Sequence, residues 1–128
     1  MKKLLVNELR IGNWVNEHGI PIGVTPNLIL RLYQINIANK ICIDISPIPL
    51  TQKLLVEFGF EYREDLCGNG DNYYNGYIKN GFRIAVISDE FAYWIDIEDY
   101  YYSFALRKIK YVHKLQNLYF EIKNEELI

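Results

Sequence analysis

Two histidines occur in the 128 residues, and only one is placed where chemistry could be built on it. His18 sits in a predicted turn, Asn16-Glu17-His18-Gly19. His113 sits in Tyr111–Ile122, the most clearly periodic run of the chain. There His113, Gln116, Asn117 and Phe120 share one flank by the i+3 and i+4 spacing of a helix, so that three hydrogen-bonding side chains adjoin an aromatic ring. A histidine titrates near neutrality and serves as general base or metal ligand. The first role needs a partner within hydrogen-bond reach and the second needs further ligands. The sequence has no His-x-x-x-His, no close cysteine pair and no serine elbow, so binding or structural use is expected ahead of catalysis. The plainer reading of Gln116 and Asn117 is a polar latch, satisfied against the backbone of a neighbouring strand.

Other reactive side chains are sparser. Asp96 and Glu98 fall on one face of a strand by period two with Asp99 beside them, a hard-cation or paired-carboxylate pattern for which a solvated strand end is the reading favoured. Cys42 and Cys67 are too few for a disulfide framework and lack the spacing of a zinc site. Cys67-Gly68-Asn69-Gly70-Asp71-Asn72 is glycine-rich without the Lys-Ser/Thr of a phosphate loop, and is expected to be a turn or loop. No cofactor or metal is implied.

The aromatic content is 15%, with eleven tyrosines. Tyr100-Tyr101-Tyr102, and Tyr73-Tyr74 with Tyr77, could stack bases, but such platforms come with a basic groove and these adjoin acids. Net charge is −2, which gives no overall attraction to nucleic acid or an anionic membrane. Protein contact is the use favoured for the tyrosines, whose rings offer large area and a polar tip. The plain alternative is that Tyr, Ile, Asn and Lys are jointly raised by an AT-rich coding sequence.

These residues need elements to hold them. The length suits one domain, 1–128, and no apolar run approaches the roughly 18 residues of a membrane span. The opening Met1-Lys2-Lys3-Leu4-Leu5-Val6 begins like a signal peptide, but Asn7, Glu8 and Arg10 end its apolar part, so a cytoplasmic protein is expected. Leu9–Val15 and Ile20–Val24 predict a hairpin, with Pro21 confining the second strand to an edge or bulge. Thr25-Pro26 reads as a helix start, although 28–37 is apolar enough to be a strand. Ile41–Ile45 alternates and predicts an extended segment. Thr51 predicts the N-cap of a short helix over 52–58, with Leu50 and Leu55 as a hydrophobic staple and Gly59 as the left-handed end. Tyr73–Lys79, Phe82–Ser88, Phe91–Ile97 and Phe104–Lys110 predict an antiparallel meander, with Asn80-Gly81 the strongest hairpin signal. The acids of 89–99 and the bases of 107–114 are placed to pair across adjacent strands. In the terminal helix Val112, Leu115, Leu118, Tyr119 and Ile122 form the predicted buried stripe, with Lys114 and Glu121 towards water.

Three blocks span the chain: Leu9-Arg10-Ile11-Gly12-Asn13; Pro47-Ile48-Pro49-Leu50-Thr51 with Leu54-Leu55 and Phe58-Gly59-Phe60; and Ile109–Phe120. Together they resemble a family of small proteins of bacteriophages, prophages and their bacterial hosts. That pattern has Gln where Lys114 stands and often Thr-Gly where Lys123-Asn124 stand. The resemblance carries no activity. It implies a phage-related accessory protein in a bacterial cytoplasm, where small inhibitors of host defence are common. The expected fold is α+β, an antiparallel sheet with a short capped helix and a C-terminal helix packed on it. The expected function is a non-enzymatic binding protein that blocks a host protein or sequesters a small, nucleotide-like ligand. The alternatives are a small hydrolase or nuclease using His113 with a carboxylate such as Asp96 or Glu98, and a structural component of a phage particle, for which homo-oligomers would be diagnostic.

Overall fold

The computed structural model describes residues 8–37, 45–69, 72–96 and 104–127. The fold is α+β, and the chain divides into two compact units. One comprises the described residues up to Pro49 together with those from Tyr111 onward; the other runs from Leu50 to Lys110.

In the first unit, β1 (Trp14–Glu17), β2 (Ile20–Gly23) and β3 (Ile45–Pro47) form an antiparallel sheet in the order β2-β1-β3. The β1–β2 turn is His18-Gly19, with φ of 52° and 78°, the paired left-handed geometry that matches the twist of a tight hairpin. Pro21 lies on the edge strand β2, where its missing N–H leaves no ladder bond unmade. The first strand is shorter than the sequence suggests. Gly12, at φ 95°, and Asn13 both stand opposite Val24, whose carbonyl accepts from Gly12 N–H (3.1 Å) and whose N–H donates to the Asn13 carbonyl (2.7 Å), so regular pairing gives way to a bulge, and Asn13 N–H closes a turn on the Arg10 carbonyl (3.0 Å). Residues 26–37 are helical as α1 (Pro26–Ile37), and the Thr25 hydroxyl accepts from Leu28 N–H at 3.2 Å. That hydroxyl satisfies a helix-start donor which a strand would have used in pairing. Leu28 and Leu32 bury themselves with Val15, Val24 and Ile45, and Leu9, Ile22 and Ile29 pack around this core. Of the expected segment Ile41–Ile45 only Ile45 is among the described residues.

The C-terminal helix, α3 (Val112–Lys123), ends at Asn124 in the left-handed conformation and contacts β1. Tyr111 supplies no side-chain cap. Instead the Ile48 carbonyl accepts from Val112 N–H at 2.9 Å. The buried residues are Val112, His113, Leu115, Gln116 and Tyr119, whereas Leu118 is half-buried and Ile122 is 43% exposed. The buried face is therefore rotated by about 70° from the purely apolar stripe, at 100° per residue. Burying an amide and an imidazole displaces two aliphatic side chains because the polar pair finds partners.

In the second unit, α2 (Gln52–Glu57) is held at both ends as expected: the Thr51 hydroxyl accepts from Leu54 N–H, Gly59 adopts φ 92°, and Phe60 N–H returns to the Leu55 carbonyl. Lys79 Nζ also donates to the Phe58 carbonyl at 2.6 Å, placing a cation at the negative end of the helix. The meander has five strands: β4 (Glu61–Asn69), β5 (Asn72–Lys79), β6 (Phe82–Ile87), β7 (Glu90–Asp96) and β8 (Phe104–Lys108), in sequence order. Its tight turns, Asn80-Gly81 and Ser88-Asp89, again place both central residues at positive φ. The strand β4 carries no alternating pattern that would announce it. Its first half is Glu61-Tyr62-Arg63-Glu64-Asp65, and a register shift between Arg63 and Cys67, with Asp65 at φ 51°, breaks the period. The glycine-rich segment read as a loop belongs partly to the ladder: Cys67, Gly68 and Asn69 close β4 and Asn72 opens β5. Cys67 is buried beside Ala85. One of the expected cross-strand ion pairs is present, Lys108 to Glu90 at 2.8 Å, and it lowers the Glu90 carboxyl below its ordinary range through the lysine's hydrogen bond and charge.

Candidate binding site

The flank singled out on α3 is brought together, and its polar groups face the chain itself. His113 and Gln116 are 0% and 1% exposed. Gln116 Oε1 accepts from the Trp14 N–H at 2.8 Å and from Asn13 Nδ2 at 3.5 Å, while Gln116 Nε2 donates to the Leu127 carbonyl at 3.0 Å and the Gly12 carbonyl at 3.5 Å. Asn117 Oδ1 accepts from Asn13 Nδ2 (2.8 Å) and Arg10 Nε (3.2 Å), and Asn117 Nδ2 donates to the Glu8 carbonyl (2.9 Å). Asn13 itself is wholly buried and accepts from Arg10 N–H at 2.7 Å. The two α3 amides thus stitch the 8–14 loop and the residue-127 tail to the helix. Phe120, half-buried, lies under the Arg10 guanidinium at 4.3 Å, and that guanidinium also pairs with Glu126 at 2.8 Å.

His113 has a carboxylate partner, though not one foreseen. Its Nε2 stands 3.1 Å from Glu8 Oε2, a side chain 13% exposed, and its ring stacks on Tyr111 at 6.1 Å between centroids. A histidine–carboxylate pair is half of a base–orienter arrangement, but a general base must also touch substrate, and this ring has no exposed surface. Glu8, Arg10 and Asn13 were missed as members of the cluster. The one signal available was Arg10-Ile11-Gly12-Asn13, a glycine and an asparagine where a strand should continue. Asp96 closes β7; Glu98, Asp99, Cys42 and the Tyr100–Tyr102 run lie outside the described residues. Among the described residues no group of three metal-ligating side chains is gathered, and no helix is long and apolar enough to cross a membrane.

No family model, curated protein or solved structure matches this chain.

Exposed aromatic side chains occur at Trp14 and Tyr33 in the first unit and at Tyr62 and Tyr73 in the second unit. Its sheet is aromatic where it is buried: Phe60 meets Phe82 edge-on at 6.1 Å, Phe82 stacks on Tyr93 at 4.6 Å, and Tyr77 meets Phe91 at 6.4 Å. Tyr62, edge-on to Tyr77 at 5.4 Å, carries the aromatic row to the edge strand β4, where it is 50% exposed. Tyr73, opposite Gly68 in the ladder, is 62% exposed. Its ring covers the bare Gly68 backbone so closely that a Cβ there would collide with it. With Gln52, Tyr74, Asn75 and Val86 these two rings line a cavity of about 290 Å³. Asn75 Oδ1 is held by Asp65 N–H at 3.1 Å, which orients the amide and leaves its NH₂ as a donor.

Proposed function

We propose that this chain is a non-enzymatic binding protein that works through exposed tyrosines, in the phage-related cytoplasmic setting that the sequence resemblance implies, by occupying a host protein or holding a small ligand. The observation that carries this reading is the use made of the α3 flank. Its amides are engaged with Trp14, Gly12, Leu127, Asn13, Arg10 and Glu8, and its histidine is sealed beside Glu8. The side chains best equipped for acid–base work are thus committed to the fold, whereas large aromatic area remains at Tyr62 and Tyr73. Tyrosines of that kind supply contact area at low entropic cost and are enriched where proteins bind.

The test is affinity capture from a bacterial host lysate by the wild-type chain, His113→Gln and the double variant Tyr62→Ala/Tyr73→Ala, each first shown to melt cooperatively. A protein or small molecule retained by wild type and His113→Gln but released by the tyrosine variant is the expected result. Turnover of a substrate that disappears in a folded His113→Gln protein would instead establish an enzyme. A large homo-oligomer of defined size with nothing captured would establish a structural component.

A further inference from the structure

The geometry points to the cavity lined by Tyr62, Tyr73, Tyr74, Asn75, Gln52 and Val86 as a site for an organic cation, a guanidinium or methylated ammonium group held against tyrosine faces. This deepens the binding reading and rests on it. Tyr73 has one face pressed on Gly68 and is otherwise 62% exposed, so it forms a platform backed by main chain. Tyr62 is fixed by its edge-on contact with Tyr77 and is half exposed. The faces of aromatic rings carry the negative part of the ring quadrupole and attract cations, most strongly those with a diffuse, weakly hydrated charge.

The lining carries no charged side chain, and two carboxylates stand close to it in the sequence. Glu64 is two residues from Tyr62, and Asp65 is hydrogen-bonded through its backbone to the lining residue Asn75. Neither has an ion-pair partner among the described residues, whereas Arg63 is drawn to Glu61 at 3.1 Å. The lining holds no base. A phosphate-bearing ligand would meet ring faces and amides with no base in the lining to neutralise it, so the nucleotide-like ligand expected from sequence is disfavoured here. Asn75 and Gln52 add amide groups at the wall, fit to bond the carbonyl or hydroxyl that accompanies such a cation.

The probes are tetramethylammonium chloride and N-acetyl-arginine amide, titrated into the full chain while the amide signals of Gly68, Asn75 and Gly76 are followed by NMR. Sodium chloride at matched ionic strength is the blank and adenosine monophosphate the anionic control. The expected result is saturable shifts confined to the cavity for the two organic cations. The tighter of the two then tells whether a free methylated ammonium or an arginine side chain of a partner is the source. Tyr73→Phe, which keeps the ring face, should bind as wild type, while Tyr73→Leu should weaken binding roughly threefold or more. Glu64→Gln with Asp65→Asn should weaken it further. No saturation with either cation, tighter binding of adenosine monophosphate, or equal loss in Tyr73→Phe and Tyr73→Leu would overturn the proposal. The two readings fail separately: capture lost in the tyrosine variant without a cation response removes the cation site alone. A cation response with capture unaffected by the tyrosines removes the aromatic contact surface as the basis of function.

Discussion

A glutamine amide offers two acceptor and two donor positions, and at Gln116 all four are used by groups of the chain itself. Truncating it would strand the Trp14 N–H and the Leu127 carbonyl as well as leaving a void, and a buried donor left unmade costs about 1–3 kcal/mol. Gln116→Ala is therefore expected to lower stability by roughly 3 kcal/mol or more, read from the urea midpoint. Ile122→Ala, by contrast, is expected to cost no more than about 1 kcal/mol, because that side chain is 43% exposed. Equal losses at the two positions would mean that the helix is turned towards its apolar stripe after all. The same side chains explain what periodicity could and could not convey. Leu115, Val112 and Tyr119 were legible as core from spacing alone, but a buried Gln or His looks like a surface residue until its partners are known. Those partners, Glu8 for the histidine and Gly12, Asn13 and Trp14 for the glutamine, lie more than a hundred residues away in sequence, with Leu127 alone close by.

Elements with local end signals could be read closely. Thr51 and Gly59 bracket α2 and Asn80-Gly81 turns β5 into β6, because in each case the decisive hydrogen bond or positive φ involves residues a few positions apart, whereas Thr25-Pro26 marks a start for α1 but the apolar run 28–37 leaves helix and strand open. The strand β4 could not be read so, since its acidic half gains its structure only by pairing with β5 across a bulge. Thr51→Ala should cost about 1 kcal/mol, with Thr51→Ser nearly neutral. Within the sheet, a Cβ at Gly76 would overlap the Ile84 carbonyl oxygen on β6. Gly76→Ala should therefore lower stability by about 1–3 kcal/mol through forced displacement of the two strands. A denaturation midpoint matching wild type would show that β5 and β6 are less closely paired than described.

For the molecule as a whole, the tyrosines that fill the second unit bear on its behaviour in alkali. Burial holds the Tyr77 and Tyr93 hydroxyls above their ordinary value of 10.0, with Tyr62 adding to the effect at Tyr77. A raised value means that the folded protein keeps protons which the unfolded chain has released. The associated stability is complete below pH 10 and is lost as pH rises past it. Urea midpoints should accordingly fall between about pH 9 and pH 11, and Tyr93→Phe should lessen the fall. In the first unit α3's polar flank is part of the fold, with the loop and tail fastened to it. Hydrogen exchange of the Trp14 amide tests this most directly, because that N–H is held by the Gln116 side chain at 2.8 Å. The amide should exchange as slowly as the core of its unit in the wild-type protein and much faster in Gln116→Leu. Fast exchange in the wild type would mean that the loop is open and the flank is free to meet a ligand.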